Sequence, residues 1–150
     1  MRTRLWRDGW IGWLVREIYR RKWKIIDHIP GDEKLWRAVY KKDQLYPNGN
    51  IKPAFFRDKT GLSCDLARFS TVEQSKRGYA PPPWPDAAGL VEIRVIHARQ
   101  AGSDVRHKPI SGEHPNYSHA EFTAHLTTPL AEDICRLAKF RSTPRRAELP

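Results

Sequence analysis

The amino-acid sequence predicts an α+β fold: a small, mostly antiparallel sheet with a short capped helix, a C-terminal helix and an N-terminal amphipathic helical extension. Residues 91–95 and 120–126 alternate apolar and polar side chains, which is the period of a strand with one buried face. Helix-start signals occur at Ser70 and at Thr128. A chain of 150 residues suits one domain, because a core of that size buries roughly 70% of the unfolded surface.

The net charge of +10 is concentrated at the two ends of the chain. Residues 1–30 hold eight basic and three acidic side chains, and residues 136–150 hold five basic side chains and one acidic side chain. The residues between them hold 14 basic and 13 acidic side chains. We therefore divide the chain into a basic aromatic N-terminal helical extension (1–29), a single α+β domain (30–141) and a disordered basic tail (142–150).

The extension carries an amphipathic helical pattern over residues 5–18. Within residues 5–18, the three tryptophans Trp6, Trp10 and Trp13 fall within about 60° of one another on a helical wheel. Aromatic side chains beside Arg and Lys can dock on a protein, stack on bases, lie at a membrane interface or pack on the protein's own core. The candidate partner-binding or nucleic-acid-binding side chains are Trp6, Trp10, Trp13, Arg16, Arg20, Arg21, Lys22 and Lys24.

The first half of the domain is expected to contain two strands, a turn and a helix. Residues 35–40 and 54–57 are rich in β-favouring side chains, and between them residues 46–50 predict a turn because Asn and Gly tolerate positive φ. Ser70 and Glu73 form a capping-box pattern, which predicts a short helix that Gly78 ends. The proline-rich segment that follows predicts a stiff loop.

The second half is expected to contain the two alternating strands, with a long surface loop over residues 100–118 between them. Thr128 as cap and Pro129 at the first helical position then predict the C-terminal helix, which Pro144 stops. The loop is of the kind that often carries function.

The candidates for chemistry are His107, His114, His119, Glu121 and Cys64. Histidine suits proton transfer near neutral pH, and a cysteine paired with a histidine can act as a nucleophile. The alternative is that these side chains are solvated or buried structural groups. The histidine spacing matches no zinc pattern, and no complete catalytic motif is present. We therefore expect no metal and no cofactor.

Two cysteines, Cys64 and Cys135, are too few for the disulfide framework of a small secreted protein. The N-terminus has no signal-peptide pattern, and the sequence has no apolar run of about 20 residues that would span a membrane. We expect a cytoplasmic protein with both thiols free.

Several short segments resemble a group of small uncharacterised bacterial proteins that share an AF+D strand, an LSVD strand, a capped TTPE helix and a late His-Pro and HAE segment. The matching segments are residues 54–58, 61–65, 70–73, 107–109 and 115–121. The resemblance covers roughly residues 35–126, and the chain departs from it at Cys64, where valine is usual, and in its N-terminal extension. It implies a compact α+β domain, and a setting in bacterial antiviral defence, but no catalytic residue.

The leading functional hypothesis is a non-enzymatic accessory or protein-interaction protein, with another protein as the expected partner. The first alternative is a nucleic-acid-binding protein that uses its basic termini. The second is a small His/Glu-dependent or Cys-dependent hydrolase or transferase. A membrane surface is the least favoured partner.

Overall fold

The computed structural model describes residues 24–57, 61–77, 86–112, 115–144 and Leu149. Within these ranges the chain forms an antiparallel sheet with helices, so the α+β prediction is confirmed. The strands are β1 (Lys34–Val39), β2 (Ser63–Leu66), β3 (Gly89–Arg94), β4 (Val105–His107), β5 (His119–Phe122) and β6 (Lys139–Ser142). The helices are α1 (Val72–Arg77), α2 (Val95–Gln100) and α3 (Thr128–Leu137), with 3-10 turns at Lys42–Gln44, Pro53–Phe56 and Ala67–Phe69.

The strand order is β4-β5-β2-β1-β3-β6, and every neighbouring pair is antiparallel. One face of the sheet carries the core. Its buried side chains include Leu35, Val39, Cys64, Leu66, Val91, Ile93, Val105, Ala120 and Phe122. Helix α3 covers this face together with the Pro53–Phe56 turn, against which it packs. Ala131 and Ile134 are the buried residues of α3.

The opposite face carries polar side chains on β2, β4 and β5, because alternate residues of a strand point to opposite sides. Ser63 and Asp65 of β2 pair with Glu121 and His119 of β5, so these four side chains share that face. Arg106 of β4 joins them as the partner of Glu121. The β2–β5 pairing thus brings together side chains that lie more than 50 residues apart in sequence.

The predicted strand at residues 35–40 is confirmed as β1, and the turn at 46–50 is present, with Gly49 at a φ of +86°. The predicted strand at 54–57 is wrong, because the segment forms the Pro53–Phe56 turn. Phe55 and Phe56 are both buried and meet edge to face at 5.1 Å. Consecutive strand residues would point to opposite faces, so a tight helical turn is what allows both rings into one core.

Helix α1 is confirmed, but its capping box lies one residue later than predicted. The Gln74 backbone N–H donates to Thr71 Oγ1 at 3.1 Å, and the Thr71 N–H donates to Gln74 Oε1 at 2.9 Å. The Ser70 hydroxyl instead forms a 2.7 Å hydrogen bond with the hydroxyl of buried Ser75. Gly78 and most of the proline-rich segment, residues 79–85, lie outside the described residues.

Both alternating strands are shorter than predicted. Strand β3 ends at Arg94 and Val95 begins α2, a helix that the alternation hid because Val95 is buried in either conformation. Strand β5 ends at Phe122, where its pairing with Val105 of β4 also ends. Beyond that point the Ala124 N–H bonds to Ser103 Oγ at 3.1 Å instead of to a strand.

The region predicted as a long loop, residues 100–118, contains β4 and an isolated bridge between Ile110 and Asn116. Helix α3 starts at Thr128 with Thr127 as its cap, one residue earlier than predicted. It ends at Leu137, and the chain then forms β6, which the sequence did not predict. Within the predicted tail, Ser142 belongs to β6 and Leu149 is buried in the core.

Candidate functional site

Cys64 lies in the core and has no access to a substrate. Its side chain is only 6% exposed, and its thiol donates to the Ala120 carbonyl oxygen at 3.4 Å. Burial, reinforced by the charge of Asp65, raises the pKa of the Cys64 thiol far above its ordinary value. A thiol that stays protonated is a poor nucleophile, so these features give no support to Cys64 as a catalytic residue. Cys135 is half-buried, and both thiols are free as predicted.

His107 is committed to structural hydrogen bonds through both ring nitrogens. The backbone N–H of Ile26 donates to Nδ1 at 3.1 Å, which makes Nδ1 an acceptor. Nε2 therefore carries the proton and donates to the Tyr117 carbonyl oxygen at 2.7 Å. The ring is 2% exposed and stacks on Phe69. His107 is thus buried and hydrogen-bonded as a structural histidine would be, and these contacts give no support to a catalytic role for it.

These contacts fix the start of the described chain to the domain. Tyr117 packs edge to face on both His107 and Phe69, and its hydroxyl donates to the Lys24 carbonyl oxygen at 2.7 Å. The Tyr117 hydroxyl thus holds the Lys24 carbonyl group, and His107 holds the backbone N–H of Ile26. We call this set of contacts the N-terminal clamp.

The remaining candidates, His119 and Glu121, lie close together on the polar face of the sheet. His119 Nε2 is 3.8 Å from Glu121 Oε1. His119 Nδ1 lies 2.7 Å from the Lys108 carbonyl oxygen, which can only accept, so Nδ1 carries the proton. Nε2 of the neutral ring is then free to accept a proton, and it contacts Ser63 Oγ at 3.3 Å. One backbone carbonyl therefore sets the tautomer and orientation of the ring.

Two basic side chains lie beside Glu121. Lys108 Nζ is 2.8 Å from Glu121 Oε2, and exposed Arg106 lies opposite Glu121 across the β4–β5 ladder. Arg37 Nη1 donates to the Ser63 carbonyl oxygen at 2.8 Å, at the start of β2. We call Ser63, Lys108, His119 and Glu121 the acid–base cluster.

An open groove of about 800 Å³ runs beside the acid–base cluster. Glu121 and Lys108 of the cluster line it, and so do Ile25, Ile26 and Asp27. Its lining also includes Gly61, Arg106, Pro109, Thr123 and His125. The groove thus connects the acid–base cluster to the segment that the N-terminal clamp holds.

The sequence named His119 and Glu121 but missed Ser63, Lys108 and Arg106. Strand alternation places Ser63 opposite the core-facing Cys64, but only the β2–β5 pairing brings it to His119. Most candidates of the N-terminal extension, from Trp6 to Lys22, lie outside the described residues, as does His114. Lys24, the last of that set, is described and exposed.

Three further findings bear on function. Among the described residues, no three His, Cys, Asp or Glu side chains are arranged to hold a metal ion. No helix within the described ranges has the length and apolar character needed to cross a bilayer. Comparison with protein-family models, curated proteins and solved structures finds no match to this chain.

Proposed function

We propose that this protein is an interaction protein whose folded domain presents residues 1–23 to another protein. The observation that carries the proposal is the N-terminal clamp. Tyr117 and His107 hold the backbone of Lys24 and Ile26, so the basic aromatic segment leaves the domain from a fixed point. A fixed attachment restricts the positions that a docking segment samples, which lowers the entropic cost of binding.

The composition of residues 1–23 supports a protein partner over other occupants. Trp6, Trp10 and Trp13 share one predicted helical face, and Trp and Arg are the side chains that most often dominate protein–protein binding energy. Basic side chains lie around them, which suits a partner with an acidic rim. The setting implied by the resemblance, a bacterial antiviral defence system, belongs to the same proposal.

The test is a capture and affinity experiment with the full chain and two variants. In the first variant Trp6, Trp10 and Trp13 become alanine, which removes the aromatic face and keeps every charge. In the second, Arg16, Arg20 and Arg21 become glutamine, which keeps the aromatic face. A deletion should stop after residue 23, because Lys24 and Ile26 belong to the N-terminal clamp.

If residues 1–23 dock as a helix, the affinity of the tryptophan variant for a purified partner should fall by roughly 30-fold or more for each hot-spot side chain removed. The glutamine variant should retain most of the affinity. The opposite result would favour nucleic acid: affinity lost with the arginines and falling steeply between about 50 and 200 mM salt. An unchanged partner set in both variants would show that residues 1–23 do not dock.

A further inference from the structure

We propose that the acid–base cluster cleaves single-stranded RNA by transferring the phosphoryl group to the neighbouring 2′-hydroxyl. This goes beyond the docking role and does not rest on it, because the cluster lies on β2, β5 and the end of β4. It draws on three observations: an adjacent carboxylate and imidazole, two cations beside the carboxylate, and an open groove lined by Glu121 and Lys108.

The carboxylate and imidazole have the geometry of a base and an acid. Glu121 Oε1 faces His119 Nε2 at 3.8 Å, and about a quarter of the Glu121 side chain is exposed. The Lys108 carbonyl oxygen holds the opposite ring nitrogen, so Nε2 is the position at which His119 gains and loses a proton. The side chain of His119 is 10% exposed, so the proposal requires the leaving oxygen to reach Nε2 through this small exposed part of the ring.

The surrounding charge favours an anionic phosphodiester over a neutral substrate. Lys108 lies 2.8 Å from Glu121 Oε2, and Arg106 lies beside Glu121 on the same face. Cations placed at a transferring phosphoryl group stabilise the charge that develops on its oxygens.

The step needs no reagent other than the two side chains. Glu121 takes the proton of the 2′-hydroxyl, whose oxygen forms a bond to phosphorus while the bond from phosphorus to the 5′ oxygen breaks. His119, which enters the step as the imidazolium with both ring nitrogens protonated, gives its Nε2 proton to that leaving oxygen and becomes neutral. The products are a 2′,3′-cyclic phosphate and a 5′-hydroxyl. The proton on Glu121 then passes to the neutral His119 across the short gap, which restores both groups.

The groove gives the strand a path. Its lining includes Glu121, Lys108, Thr123 and Ile25, and Ile25 is 56% exposed. An open groove can accommodate an unpaired strand, whose bases can rest on apolar side chains and whose phosphates can contact Arg106. A duplex would not place a 2′-hydroxyl in line with its own phosphate, so unpaired RNA is the expected substrate.

The experiment incubates the full chain with an end-labelled, mixed-sequence RNA oligonucleotide of about 20 nucleotides, in chelator. Two companion substrates have the same sequence, one as DNA and one with 2′-O-methyl riboses, since neither has the attacking hydroxyl. The variants are Glu121→Gln and His119→Gln. The matched control is Glu92→Gln, a part-buried carboxylate on the same face that bonds Trp36 and Lys34 instead.

We expect RNA fragments that end in a cyclic phosphate, and no cleavage of either companion substrate. Glu121→Gln and His119→Gln should each lower the rate by about 100-fold or more, and Glu92→Gln should retain the parent rate. Thermal unfolding checks that each variant is folded. If His119→Gln does not fold, the cleavage rate of Glu121→Gln alone tests the proposal. RNA that is bound but uncut by the full chain, or cut equally by Glu121→Gln, would overturn the proposal.

Discussion

The backbone N–H of Ile26 donates a 3.1 Å hydrogen bond to Nδ1 of His107, across 81 positions of sequence. The bond fixes the protonation pattern of the ring, because its other nitrogen must then donate to the Tyr117 carbonyl oxygen. It also extends the folded domain back to residue 24, although the sequence assigns residues 24–29 to the extension. A histidine that looked like a catalytic candidate is therefore part of the N-terminal clamp.

Replacing His107 by leucine should release this clamp. The change leaves the Ile26 N–H and the Tyr117 carbonyl without their buried partner, which costs about 1–3 kcal/mol of unfolding free energy per unsatisfied group. Tyr117→Phe removes only the hydroxyl that bonds Lys24 and should cost about 0.5–1.5 kcal/mol. Urea unfolding measures both, and trypsin cleavage after Lys24 should be faster in His107→Leu. Equal cleavage rates in the parent and the variant would contradict the clamp.

Gly89→Ala should destabilise the pairing of β3 with β6. A Cβ at this position would lie 2.6 Å from the Ser142 carbonyl oxygen and 2.7 Å from Pro144 Cδ, so the β6 backbone would have to move. We expect a loss of roughly 1–3 kcal/mol in urea unfolding. Gly31→Ala is the control, because its Cβ would make an ordinary 3.5 Å contact with Ile96. Similar losses in the two variants would contradict the steric account.

The two cysteines should differ in reactivity. Burial raises the pKa of Cys135 to about 11, with a smaller contribution from the charge of Glu132, but this side chain is only half-buried. Cys64 is enclosed and its pKa is raised further, again mainly by burial. Iodoacetamide at pH 8 should therefore label Cys135 slowly in the folded protein and Cys64 only after unfolding. Mass spectrometry measures the labelling of each cysteine, and equal labelling rates of the two thiols in the folded protein would contradict this prediction.

Asp104 should make the stability of the fold depend on acidity. The backbone N–H of Val105, and then the Arg99 guanidinium at 2.9 Å, hold the pKa of Asp104 below its ordinary value. The folded state therefore favours the carboxylate. Its contribution is present above the unfolded pKa near 4 and is lost as the pH falls through the lower folded value.

Asp104→Asn should accordingly lower stability at pH 7, by less than about 1 kcal/mol because the side chain is largely exposed. The difference from the parent should vanish at a pH of about 2. Asp133→Asn, which changes net charge equally at an exposed helix position, is the control. Urea unfolding at the two pH values measures the difference in unfolding free energy. If Asp104→Asn is still less stable than the parent at a pH of about 2, the ionised Asp104 carboxylate is not the cause.

The fold was predictable where the sequence signal was local. The apolar alternation at Val91 and Ile93 located β3, and the threonine cap followed by proline located the start of α3 to within one residue. The sequence pattern failed at Val95, because that side chain is buried in a strand and in a helix alike. It also failed at Phe55 and Phe56, where packing of both rings in the core overrides their preference for a strand. Strand β6 has half-buried Phe140 between exposed Lys139 and Arg141, a pattern too short to distinguish from the end of the helix that Pro144 was expected to stop.

The sequence by itself determined the α+β class, the concentration of charge at the two ends and the residue types available for chemistry. Only the tertiary structure decided what those residues do, because hydrogen-bond partners depend on strand pairing between distant segments. The β2–β5 register placed Ser63 beside His119 and Glu121, whereas the enclosure of Cys64 and the Ile26 bond to His107 left two candidates without support. Local patterns report which face of a strand a side chain takes, but not which neighbour it meets there.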